Sequence, residues 1–262
     1  MFLKTFLFLK KNINNILHIF YNIGNILFYT FIKKSEFNQK LLLSIIQQLY
    51  NIGILSLIIT MISGLFIGMV LSLQGYFILL NYGSVSNLGL TVALSLFREF
   101  GSVITALLFI GSVGSSFTAE IAFMKITEQL SSLEIMAVDP LRKIIAPRFW
   151  AGVISMPLLT IIFITFGILG SWIVGVYLKD IDNGFFWASM DGNLQWNQDS
   201  INCLIKSIIF AIFITSISLF NGYRSKSTFK SISIASTKTV IYSSLVILGL
   251  DLFLTFFMCG NF

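Results

Sequence analysis

Four charged side chains fall inside long apolar runs of this 262-residue chain: Arg98, Glu99, Lys206 and Asp251. A charge near the centre of a bilayer costs on the order of 3 kcal/mol or more, so each needs a partner or a task. Depth can be counted at about 1.5 Å per residue from the end of each run that the charge pattern below assigns to the outside. On that scale Lys206 lies about 9 Å deep, Asp251 about 10 Å, and the Arg98-Glu99 pair about 11 to 12 Å. Gln74 comes out at a similar depth. Two compatible kinds of chemistry fit such a layer. In one, Lys206 pairs with Asp251, Arg98 pairs with an acid or a carbonyl, and the layer locks a helix bundle. In the other, the groups line a cavity open to the outside, beside a lipid headgroup or water. A proton relay is a third reading, weakened because no histidine lies in the spans; His18 is the only histidine of the chain. For a membrane-embedded enzyme, only the carboxylates of Glu99 and Asp251 stand where a base or nucleophile would be needed.

The polar segments hold no catalytic constellation. There is no G-x-x-x-x-G-K-[ST] phosphate loop, and Gly111-Ser112-Val113-Gly114 is not followed by lysine, so ATP is not expected to bind this chain by that route. No metal-ligand spacing occurs, and no cofactor is expected. Cys203 and Cys259 fall near the outer ends of the last two runs. A disulfide between them is conceivable in an oxidising compartment; two small packing residues is the plainer reading.

The elements that must position the layer are membrane spans. Hydrophobic residues make up 56% of the chain and charged residues only 11%, too few to cover a soluble domain of this size. Runs of about 18 or more apolar residues read as spanning helices. Five are found, near 52–80, 91–117, 149–178, 201–220 and 240–258. Small residues recur within them, at Gly64 and Gly68, Gly111 and Gly114, and Gly167 and Gly170, spacings that let helices approach closely in lipid. Lys4, Lys10, Lys11, Lys33, Lys34 and Lys40 precede the first span. Lys125, Arg142, Lys143 and Arg148 lie between the second and third, and Arg224, Lys226, Lys230 and Lys238 between the fourth and fifth. The other side holds Lys179 with Asp180, Asp182, Asp191 and Asp199. By the positive-inside rule the N-terminus is cytoplasmic and the C-terminus lies outside. The net charge of +6 is thus a topology signal rather than a footprint for nucleic acid.

Residues 120–148, between the second and third spans, are unusually rich in charge. Ile126, Leu130, Leu133 and Ala137 recur at helical spacing and form one apolar face, while Thr127, Glu128, Ser131 and Glu134 cover the opposite side. The helix is expected to end at Asp139-Pro140, because proline pushes the residue before it out of the α region. A short amphipathic helix held in water between two spans is a rigid face for a soluble partner. Within residues 1–40, Lys11, Asn15, His18, Asn22 and Asn25 form one polar stripe, so 16–32 is expected to lie flat in the membrane interface rather than to cross it. No small-residue cleavage site follows a short apolar core, so a cleaved signal peptide is not expected.

Three stretches carry a family resemblance: ISGLFIGMVLSLQGY at 62–76, the long string at 93–159 from ALSLFREFGS through EQLSSLEIMAVDP to AGVISMPLL, and LGLDLFLT at 248–255. Over residues 41–262 the chain resembles the MlaE permease family, most of all its bacterial Mla branch. The resemblance implies an all-α polytopic membrane protein: an N-terminal interfacial helix (1–40), then a permease domain with five transmembrane helices and a cytoplasmic coupling helix. It implies a homodimer in the bacterial inner membrane, with an ATPase (MlaF-like), a STAS-domain protein (MlaB-like) and an MCE-domain hexamer (MlaD-like) on the periplasmic side. The substrate would be glycerophospholipid moving between inner and outer membranes, which maintains outer-membrane asymmetry. Gln74, Tyr82, Arg98 and Glu99 would fall at the lipid pocket, with Leu71 and Leu79 as apolar wall. Glu128, Leu130, Leu133, Glu134, Met136 and Asp139 would belong to the coupling helix on the ATPase. The chain departs from the family pattern at Ser112, where an arginine is usual, at Ser102, where a proline is usual, and at 230–236, where a common glycine is missing. A non-transporting scaffold for the same partners is the alternative function.

Overall fold

The computed structural model describes residues 39–193 and 196–259, and these residues form helices joined by short turns. The stripe expected at 16–32 lies outside the described residues. Helix α1 is Gln39–Asn81, α2 is Val85–Ile126, α3 is Gln129–Ile135 and α4 is Leu141–Leu178. Helix α5 is Asn183–Asn193, α6 is Trp196–Arg224 and α7 is Phe229–Cys259. Five of the seven are long and apolar enough to cross a membrane, and they contain the five runs seen in the sequence. Helix α1 has 43 residues. That is about 65 Å at 1.5 Å per residue, roughly twice the hydrocarbon thickness, so α1 must tilt or run on beyond the membrane core.

Backbone-to-backbone contact holds α1 against α4. A Cβ on Gly68 would lie 1.9 Å from the carbonyl oxygen of Gly167, one on Gly64 2.7 Å from that of Phe163, and one on Gly170 2.2 Å from that of Leu65. One turn further, Ser72 Oγ donates to the Ser171 carbonyl at 3.0 Å. Gly64, Gly68 and Ser72 are spaced by four, so they form one stripe along α1. No larger side chain fits there. Gly111 behaves differently: a Cβ on it would meet nothing within 4 Å among the described residues, so its expected packing role does not hold within one chain.

Helix α6 is the central rod. About two-thirds of its most apolar stretch is buried (67%), against 11% for α7, which lies at the edge with Leu252, Phe253 and Phe256 facing outward. Two apolar clusters fill the bundle. One, toward α3, is built on Phe109, Phe117, Ile121, Phe149, Met156 and Phe210. The other lies toward the opposite end, on Leu88, Val92, Leu96 and Phe163, and is closed off by Phe186 and Met190 of α5. Between α2, α6 and α7, Thr118 Oγ1 bonds the Ser218 carbonyl at 2.9 Å and Thr239 Oγ1 at 3.0 Å, and Asn221 donates to Thr239 at 3.1 Å. These short side chains keep their polar atoms satisfied inside an apolar bundle.

Candidate functional site

The polar layer is built on an irregularity in α2. Residues Leu96–Phe100 form a π-helical turn, in which the Gly101 N–H reaches back five residues to the Leu96 carbonyl. Such a turn inserts one extra residue and disturbs the regular ladder of backbone bonds. The Arg98 carbonyl within it accepts a hydrogen bond from Lys206 Nζ of α6 at 2.9 Å. Lys206 also donates to Thr255 Oγ1 at 2.7 Å and to Asp251 Oδ1 at 3.3 Å, both on α7. Asp251 and Thr255 stand four residues apart, one helical turn, and so share a face. An ammonium has three donors. Here three acceptors from two neighbouring helices meet it, so every donor of a side chain only 3% exposed has a partner to offset its burial.

Arg98 is held twice. Its carbonyl takes Lys206, and its Nε donates to Asp199 Oδ1 at 3.1 Å. Asp199 lies in the first turn of α6, where the helix dipole favours an acid. Its side chain is 8% exposed and that of Arg98 52%. The sequence pattern read Asp199 as a charge of the outer connection and missed this role. The available signal was its spacing: Asp199 precedes Lys206 by seven residues, two helical turns, so both present to the same neighbour. Thr255 was missed for the same reason, as a polar residue one turn beyond Asp251. Glu99 is exposed and makes no ion pair among the described residues.

The residues expected from α1 divide into two pairs. Leu71 and Leu79 are half-buried and pack on the cluster around Leu88, Val92 and Leu96. Gln74 and Tyr82 are exposed, and among the described residues no hydrogen bond joins either to Arg98 or Glu99. One chain therefore assembles Arg98, Lys206, Asp251, Asp199 and Thr255 directly and leaves Gln74, Tyr82 and Glu99 facing outward.

At the other end, α3 is shorter than the spacing predicts. It stops at Ile135, four residues before Asp139. Ala137 takes a left-handed conformation with φ 56°, its N–H bonds the Glu134 carbonyl at 3.0 Å, and the Val138 N–H bonds the Leu133 carbonyl at 3.0 Å. This pair of bonds is a Schellman ending. It satisfies the last carbonyls before proline can act. Glu128 at the other end is also left-handed, with φ 57°. The expected apolar face is only partly an inner face: Leu130 is buried, Ile126 and Leu133 are half-buried, and Ala137 is exposed. The apolar side chains that stand clear of the chain are Ile135, 86% exposed, and Met136, 62% exposed. Glu128, Glu134 and Asp139 are exposed beside them. Lys125 Nζ donates to the Tyr223 carbonyl near the end of α6 at 2.8 Å, and Arg148 pairs with Glu120 at 3.0 Å, so the segments flanking α3 are tied to the bundle.

Long apolar helices bundled around a buried polar layer, with a short polar-faced helix between two of them, define a polytopic membrane protein. Residues 45–257 match the family described as Permease MlaE. The chain is 53% identical over 237 residues to the intermembrane phospholipid transport system permease protein MlaE of Haemophilus influenzae, covering 90% of each protein. It is 37% identical over 204 residues to a probable ABC transporter permease protein of Rickettsia prowazekii, covering 78% of each. A probable ABC transporter permease protein of Synechocystis is 32% identical over 214 residues, covering 81% of each. The chain belongs to the MlaE permease family.

Proposed function

We propose that this chain is the permease subunit of an ABC-type phospholipid transporter, moving glycerophospholipid between the inner and outer membranes of a bacterium. The observation that carries the proposal is the likeness to the Haemophilus intermembrane phospholipid permease, which runs through 90% of both chains. The polar layer supports it from the residues upward. Arg98 spends only its Nε on Asp199 and is half exposed, so its two Nη groups are left for an anionic headgroup. Leu71 and Leu79 would form the wall beside the acyl chains, and Gln74, Tyr82 and Glu99 the polar rim. The working unit would be a homodimer in the inner membrane, N-terminus cytoplasmic and C-terminus periplasmic. An ATPase (MlaF-like) would dock on α3, a STAS-domain protein (MlaB-like) would accompany it, and an MCE-domain hexamer (MlaD-like) would receive or deliver lipid on the periplasmic side. The permease itself would hydrolyse nothing.

ATP hydrolysis by the assembled complex in vesicles of defined phospholipid tests this reading. A transporter raises its hydrolysis rate when transportable lipid is present and moves labelled lipid to an acceptor. A complex that assembles fully, yet neither responds to lipid nor moves it, would instead be the scaffold.

A further inference from the structure

We infer that Asp199 is a positioning residue of the lipid site: it sets the plane of the Arg98 guanidinium so that the two Nη groups are presented to the headgroup phosphate. This rests on the lipid reading of the layer. Three observations carry it. First, the only protein partner of the Arg98 side chain among the described residues is Asp199 Oδ1, at 3.1 Å from Nε. A guanidinium is planar, with five donors in a fixed fork. A bond at Nε fixes the orientation of the plane and leaves the outer pair of nitrogens aimed as a unit, the arrangement that takes a phosphate through two parallel bonds. Second, Asp199 Oδ2 is buried without a hydrogen-bond partner among the described residues. A buried acceptor left unmet is destabilising. A carboxylate kept only to stabilise the bundle would be better served with both oxygens bonded, as Lys206 is with all three of its donors. Third, Asp199 and Lys206 stand two turns apart on α6 and hold Arg98 by its side chain and by its backbone carbonyl. The headgroup ligand is carried by α2, but its aim is set by α6.

The test uses the assembled complex purified in mild detergent, with bound phospholipid per permease counted by mass spectrometry. Arg98→Ala should lower retained phospholipid at least threefold. Asp199→Ala should lower it to a similar extent in complexes that still contain their partner subunits. Asp199→Asn, whose amide oxygen still accepts from Nε, should stay within twofold of the parent. In an Arg98→Ala background, Asp199→Ala should cause no further loss, because Asp199 acts through Arg98; a purely structural acid would subtract in both backgrounds. Should Asp199→Ala not assemble, Asp199→Gln, which moves the acceptor one carbon outward, is read in its place with the same threefold expectation. If Arg98→Ala retains lipid like the parent, the lipid reading of the layer falls. If Arg98→Ala loses lipid while the Asp199 variant keeps it, or if the losses add in the double variant, the lipid reading stands and the positioning role of Asp199 is overturned.

Discussion

Lys206 and Ile135 each break the ordinary rule for their kind, at opposite ends of the same molecule. Lysine is seldom fully buried, yet Lys206 is 3% exposed. Isoleucine is among the residues most often buried, yet Ile135 is 86% exposed. The resolution differs at the two ends. Lys206 finds its three acceptors inside the chain, on α2 and α7, so the exception is complete within one subunit. Ile135 and Met136 lie on a short connection beyond the spans, and no side chain among the described residues covers them. The ATPase proposed to dock on α3 would be their complement. The Lys206 cluster is thus complete within the described residues and the layer is open at Arg98 and Glu99, whereas α3 is an unfinished structure.

The contrast can be broken most severely at the finished end. Removing one partner of a buried ion pair leaves an uncompensated charge and costs roughly 3–5 kcal/mol. Asp251→Asn should therefore cut the yield of folded complex and lower its melting temperature. Adding Lys206→Met should recover much of the loss, because no buried charge then remains unmet. A double variant no better than Asp251→Asn would mean that the 3.3 Å contact is not an energetic pairing.

The unfinished end should respond in a different currency. Ile135→Asp places a charge in the proposed docking face, where its desolvation costs on the order of several kcal/mol. The permease should accumulate in the membrane as before and lose its ATPase in co-purification. Leu133→Asp is a mixed case, since Leu133 is half-buried and its replacement should lower permease yield as well. Retention of the ATPase by the Ile135→Asp protein would remove α3 from the docking surface. A smaller effect is expected at Ala137. Its φ of 56° suits glycine better than alanine. Ala137→Gly should relieve strain of about 1 kcal/mol, slowing amide exchange across the end of α3 while ATPase binding is kept. Faster exchange would show that the left-handed ending is not a strained one.

Much of this was legible in the sequence, for reasons that differ by element. Run length and composition are properties of each span alone, so all five appeared, and so did the close approach at Gly64 and Gly68. Charges within apolar runs are conspicuous, so Arg98, Lys206 and Asp251 stood out before any partner was known. Asp199 did not, because it lies at the polar mouth of α6, where an acid is unremarkable until a neighbouring helix supplies Arg98. The π-turn at Leu96–Phe100 was equally silent: no residue type marks it, and it becomes meaningful only when Lys206 takes up the Arg98 carbonyl. At α3 the helical spacing was read one turn too far. A face of four apolar residues continued smoothly through Ala137, but the Schellman bonds of Ala137 and Val138 had already ended the helix. The outward apolar surface is therefore Ile135, which the spacing did not single out, together with Met136, which was expected there, rather than Leu133.

The account rests on the open face of the polar layer being where lipid engages, separate from the bonds that hold the layer together. Glu99→Lys tests it most directly. Glu99 is exposed and unpaired among the described residues, so reversing its charge should leave the Lys206, Asp251 and Asp199 contacts intact. The paired measurement is complex yield on purification and the barrier function of the outer membrane in cells that depend on the variant. The account predicts yield close to the parent with loss of barrier function. A Glu99→Lys complex that assembles and maintains the barrier like the parent would contradict it.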